Sequence, residues 1–131
     1  MRAGIEVREA HFPGRAQIDA YGNGGFRFAD MSHRGSVLLL PSGIYGWAPA
    51  SLSDVDLGSL SQVLGESEQI DVLLFGCGDD LLPLPPALRD ALREKSISCD
   101  TMSTGAAVRT YNVLLAEERN VAAALIAVDT A

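Results

Sequence analysis

At 131 residues, 47% hydrophobic and 21% charged, the chain has the size and composition of one globular domain and is too rich in apolar residues for extended disorder. Ten Lys and Arg against 17 Asp and Glu leave a net charge of −7, the wrong sign for neutralising phosphate backbones or anionic lipid, so nucleic acid and membrane surfaces are poor partners. No apolar run approaches the ~20 residues of a membrane-spanning helix, and the charged start with Arg2, Glu6, Arg8 and Glu9 does not read as an export signal, so a cytoplasmic protein is expected.

The first third reads as extended chain, in the runs "AQIDAYG", "GGFRFAD", "GSVLLLP" and "IYGWAPA". Asn23 and its flanking glycines, in "YGNGGF", supply the positive φ angles of a tight hairpin. "LPSG" predicts a second turn, with Pro41 fixing φ and Gly43 relieving strain. From residue 53 the apolar spacing changes to that of a helix, through Val55, Leu60, Val63 and Leu64, weakened by Gly58.

"IDVLLFG" is a continuous apolar run ending in glycine, the pattern of a strand covered on both faces. After "CGDDLLPL", the segment "PPALRDALREKS" predicts a helix opened by proline, with Leu88, Ala91 and Leu92 on one face. A short strand, "ISCD", leads to a helix capped by Ser103 or Thr104 and running to about Glu118, followed by the strand "VAAALIAV". The carboxy-terminal half is thus βαβαβ, whose crossovers favour parallel pairing between helical layers, behind a hairpin-rich amino-terminal half.

Two clusters are candidates for chemistry. "FGCGDD" is a glycine-rich loop leaving a buried strand, the place where open α/β sheets bind ligands. It lacks the third glycine and the immediate helix of a dinucleotide fingerprint, and Asp79 and Asp80 would repel a pyrophosphate. The readings are a tight turn needing Gly76 and Gly78 for backbone geometry, or a ligand loop; Cys77 is a small buried residue or an activated thiol. Neither His11 nor His33 lies near Cys77 in sequence, no local His or Cys pair suits a metal, and no Gly-x-Ser-x-Gly elbow is present. No cofactor or metal is expected.

The second cluster is "RTYN" near the start of the last helix. Arg109 and Asn112 can share a face while Tyr111 points toward the side of Leu114 and Leu115. Because the first turns of a helix disfavour a cation, Arg109 is expected to have an anionic partner. Asp79 or Asp100 would fill that role, bracing the glycine loop against the helix, and an anion clamp on a ligand is the competing reading.

The phrases "YGNGGFRF", "GSVLLLPSGIYGW", "LLFGCG", "PALRDALREKSI" and "MSTGAAVRTYNVLLAEERNVAAALI" together resemble a widespread domain-of-unknown-function family. That family includes the mitochondrial complex I (NADH:ubiquinone oxidoreductase) assembly factor 3 and the adipogenesis-associated Mth-type domain protein. The resemblance runs from about residue 17 to 127. It implies an α/β fold of three layers around a mixed central sheet, in a single domain, with no established catalytic residue and with protein partners. In such proteins the loop at Gly76, Cys77 and Gly78 usually carries threonine at the Cys77 position, and glycine usually stands where this chain has Glu118. A glutamate in the left-handed conformation there would cost up to roughly 1 kcal/mol.

The reading that results is a non-enzymatic protein-binding or assembly-factor-like domain, with a pocket or contact surface drawn from Gly76, Cys77, Gly78, Asp79, Asp100, Arg109, Tyr111 and Asn112. The alternative is a small-molecule-binding protein or enzyme using the Gly76 to Asp80 loop with Arg109.

Overall fold

The computed structural model describes residues 12–79 and 83–130. The amino-terminal half folds as hairpins. Strand β1 (Phe12–Pro13) lies at a sheet edge, and β2 (Ala20–Gly22), β3 (Gly25–Phe28) and β4 (Met31–Arg34) form a small antiparallel sheet in that order. The β2–β3 turn is made by Asn23 and Gly24 at φ 53 and 77, the doubly left-handed turn that matches strand twist. The β3–β4 turn repeats this geometry with Ala29 and Asp30 at φ 48 and 63. No glycine announces it, so β4 is absent from the sequence reading.

Strands β5 (Ser36–Leu40) and β6 (Gly43–Trp47) pair across a two-residue link, Pro41 and Ser42. Ser42 is pinned by Glu66, which accepts from its amide at 3.0 Å and its hydroxyl at 2.6 Å. The expected helix from residue 53 is instead broken into short 3-10 turns around a five-residue helix α1 (Ser61–Gly65). Ser59 and Asp56 explain the break: the Ser59 hydroxyl accepts from the Asp56 amide at 3.0 Å and the Asp56 carboxylate from the Ser59 amide at 2.8 Å, and such local bonds compete with a continuous helix. The apolar spacing still lands Val55, Leu60 and Val63 in the core.

The carboxy-terminal half is βαβαβ: β7 (Val72–Gly76), α2 (Pro86–Glu94), β8 (Ser98–Met102), α3 (Thr104–Ala116) and β9 (Val121–Leu125). The six-stranded mixed sheet has the order β1-β6-β5-β9-β7-β8, with β7 parallel to both β8 and β9 and β5 antiparallel to β9. Ala123 sits between Leu39 and Leu74 at its centre. On one face Leu73 and Phe75 meet Leu88 and Leu92 of α2, together with Trp47 and Val63. On the other, Leu39, Leu74 and Leu125 meet Ala107, Val108 and Tyr111 of α3 and Phe26 and Phe28 of the small sheet. Three layers result, because each crossover helix covers a different face of strands that are apolar on both sides.

Glu118 follows α3 at φ 61. Its amide donates to the carbonyl of Leu115 at 2.9 Å and that of Arg119 to Leu114 at 3.0 Å, closing the helix in a Schellman motif. The turn therefore keeps the left-handed geometry that favours glycine, with a glutamate in it.

Candidate functional site

The carboxyl ends of the parallel strands are where an open α/β sheet keeps a ligand site, and here the described residues bond to one another at that place. The ladder continues past β7, with the Ile126 amide donating to the Gly76 carbonyl at 2.9 Å and the Cys77 amide to Met102 at 2.8 Å. Gly78 then turns at φ +86. Its amide donates to Thr104 Oγ1 at 2.9 Å, and its carbonyl accepts from the Thr104 amide at 3.1 Å. The Thr104 hydroxyl in turn donates to the Ile126 carbonyl at 2.7 Å, fully buried.

One threonine at the first turn of α3 thus ties the glycine loop to the end of β9. Ser103 is the cap, its Oγ accepting from the Ala106 amide at 3.3 Å. Sequence reasoning left Ser103 and Thr104 interchangeable; the available signal was that only one of two adjacent hydroxyls can cap, so the other must face inward. A Cβ added at Gly76 would lie 2.9 Å from Leu125 Cδ2 and 3.0 Å from Thr104 Cα. Gly76 is there because α3 approaches closely, not because a ligand does. Cys77 is buried in the α2-side core, its Sγ 3.7 Å from the Phe75 carbonyl as a weak donor. Asp79 is exposed, and Asp80 lies outside the described residues.

The "RTYN" cluster separates into three environments. Tyr111 is fully buried, and burial pushes its hydroxyl up to about 12, against the opposing pull of Arg15. Asn112 reaches the extended segment before β2: Oδ1 accepts from the Ile18 amide and Nδ2 donates to the Ile18 carbonyl, both at 2.9 Å. That side chain copies the pairing of a strand edge. Arg109 is exposed and, among the described residues, forms no ion pair with Asp79 or Asp100. The expected brace is corrected in its identity: neutral hydrogen bonds of Thr104 and Asn112 hold the helix. Arg109 instead borders Gly105, 3.5 Å from where a Cβ would stand, and the Tyr21 ring packs on the same glycine. Asp100 is exposed on β8, turned to solvent. Structure therefore brings Gly76, Gly78 and Thr104 together and leaves Asp79, Asp100 and Arg109 on the surface.

The described surface carries open hollows away from this loop. One of about 470 Å³ lies on the small sheet, lined by Tyr21, Arg27, His33 and Arg34 among others. Another of about 380 Å³ runs between α2 and β8, lined by Arg89, Arg93, Ser96, Ile97, Ser98 and Cys99. Burial pushes the Cys99 thiol up to about 11 despite Arg89 nearby, so it is a protonated thiol at neutral pH. Among the described residues no three His, Cys, Asp or Glu side chains gather as metal ligands, and no helix is long and apolar enough to cross a membrane.

Residues 18–126 match the model of the family described as "Protein of unknown function (DUF498/DUF598)". The chain belongs to this family. A Bartonella henselae protein described as an outer membrane protein is 66% identical over 91% of this chain and 100% of its own, with a TM-score of 0.88. A Mth938-like domain from Bordetella pertussis shares the fold at TM-score 0.76 and 24% identity, over 99% of this chain and 95% of that one. The Xenopus tropicalis protein named NADH dehydrogenase [ubiquinone] 1 alpha subcomplex assembly factor 3 is 33% identical over 109 residues. The aligned part is 83% of this chain and 60% of that protein, so the chain spans well under the frog protein's full length. Resemblance to this family and the three-layer mixed-sheet architecture, both drawn from sequence, hold.

Proposed function

We propose that this chain acts by binding other proteins, in the manner of an assembly factor for NADH:ubiquinone oxidoreductase or a comparable respiratory or membrane complex. The observation that carries this reading is the bonded carboxyl end of the parallel strands, where, among the described residues, Thr104, Gly78 and Ile126 satisfy one another's polar groups. A relative named as an assembly factor gives the direction. The competing ligand site loses support because Arg109 borders Gly105 and, among the described residues, forms no ion pair with Asp79. In this proposal Gly76, Cys77, Gly78, Tyr111 and Asn112 maintain the shape of the domain, and the exposed Asp79, Asp100 and Arg109 contribute to contact with a partner. The free Cys99 thiol supports a reducing, cytoplasmic setting.

The test is deletion of the gene in its native host, followed by native gel electrophoresis of the NADH:ubiquinone oxidoreductase, with crosslinking and mass spectrometry of the tagged chain. Partial subcomplexes should accumulate at the expense of the mature enzyme, and crosslinks should reach its subunits or their assembly proteins. Normal assembly together with no enriched protein would overturn the proposal.

A further inference from the structure

The six-stranded sheet has two unlike edges. At one end the described part of β1 contains Pro13, which has no amide hydrogen to donate to a further strand. At the other, β8 runs for five residues without proline. Its hydrogen bonds to the β7 side fix which groups remain. The Ser98 amide donates to the Asp71 carbonyl at 3.0 Å, and the Met102 carbonyl accepts from the Cys77 amide at 2.8 Å. Ser98 and Met102, and by the same two-residue period Asp100, turn their backbone groups inward. Cys99 and Thr101 turn theirs outward, where β8 has no strand partner among the described residues.

The two faces beside this edge carry opposite charge. Asp100 pairs with Leu74, whose side chain belongs to the α3-side core, so Asp100 lies on the α3 side and is exposed. Cys99 pairs with Leu73 and lies on the α2 side, in the hollow of about 380 Å³ flanked by Arg89 and by Arg93, the latter 3.8 Å from the exposed Asp90 carboxylate. An added strand alternates its side chains between these faces. Complementarity asks for a basic residue opposite Asp100 and acidic residues on either side of it, reaching Arg89 and Arg93.

A second copy of this chain does not meet that demand. The antiparallel register that pairs all of Ser98–Met102 with itself sets Asp100 directly opposite Asp100, and like charges so placed are destabilising. We propose that the outer edge of β8 takes up an extended segment of a partner protein as a seventh strand, with a basic residue flanked by acidic ones. This inference rests on the protein-binding reading and locates its surface.

Two peptides test it, Thr-Val-Glu-Lys-Glu-Val-Thr and its charge-swapped form Thr-Val-Lys-Glu-Lys-Val-Thr, titrated into the isotope-labelled protein. The first should slow amide hydrogen exchange at Cys99 and Thr101 by about tenfold or more at saturation and should bind about tenfold tighter than the second. Asp100→Lys should erase that preference. Thr101→Pro, which removes an outward donor at an edge position that tolerates proline, should abolish the protection while circular dichroism stays unchanged. If Thr101→Pro does not fold, Asp100→Lys alone decides the matter.

Equal binding of both peptides, or protection at other amides, would overturn the inference. So would protection of Cys99 and Thr101 that grows with protein concentration alone, which would make the occupant a second copy. In the native host, crosslinked partners captured equally by wild type and Asp100→Lys would sink the edge while the protein-binding reading stands. Capture of none by wild type would sink that broader reading.

Discussion

The carboxyl-end loop and the β8 edge lie at neighbouring places on one sheet and differ in how their backbone groups are satisfied. At the loop, both polar groups of Gly78 and the Ile126 carbonyl are bonded through Thr104, which is fully buried. At the edge, the amides and carbonyls of Cys99 and Thr101 face outward from a strand with one neighbour among the described residues. A glycine-rich loop after a buried strand is therefore not by itself a site. Here Gly76 serves the close approach of α3 and Gly78 the left-handed turn, and unsatisfied bonding capacity lies one strand further out.

That contrast predicts where mutations cost stability. Leu74→Ala, in the layer between loop and edge, should lose about 2–5 kcal/mol in urea denaturation, because Leu74 is 1% exposed between β8 and β9; a loss below half a kcal/mol would remove it from the core. Thr104→Val keeps the shape but leaves the Gly78 amide and Ile126 carbonyl unpaired, so a loss of about 1–3 kcal/mol is expected. A silent Thr104→Val would mean that water already reaches the loop.

A third prediction concerns α3's far end. Glu118→Gly should stabilise the protein by up to about 1 kcal/mol, since Glu118 stands at φ 61; a neutral or destabilising result in thermal melts would show that the side chain has a role there. Smallest is Arg109→Met, expected within about 0.5 kcal/mol of wild type because the side chain is exposed and holds neither Asp79 nor Asp100. A large loss would restore the ionic brace.

Alkaline pH probes the same contrast through Cys99, raised from 9.0 to about 11 by burial. The unfolded chain releases this proton first, so it binds fewer protons than the folded one in that range. Stability should fall as pH rises from about 9 to about 11, and Cys99→Ala should flatten the fall.

Much of the central sheet was legible in the sequence because unbroken apolar runs leave few options: residues 72–76 and 121–125 had to be covered on both faces, and they pair. The Asn23 turn was equally plain. Strand β4 was not, since Met31–Arg34 is polar and its turn uses Ala29 and Asp30. The helix expected after residue 53 failed for a local reason, the reciprocal Ser59 and Asp56 bonds. Of the candidate cluster, spacing placed Arg109, Tyr111 and Asn112 on the right helix but could not say which direction each would face. Helical periodicity gives angular separation between side chains, whereas the partners Ile18 and Tyr21 come from distant sequence.

Native-state hydrogen exchange of the isolated protein tests the central contrast most directly. The Gly78 amide should exchange only through global unfolding, with the protection of the β7 core, whereas the Cys99 and Thr101 amides should exchange at near-free rates. Rapid exchange at Gly78, or strong protection at Cys99 and Thr101 in the dilute protein, would contradict the account of a closed loop beside an open edge.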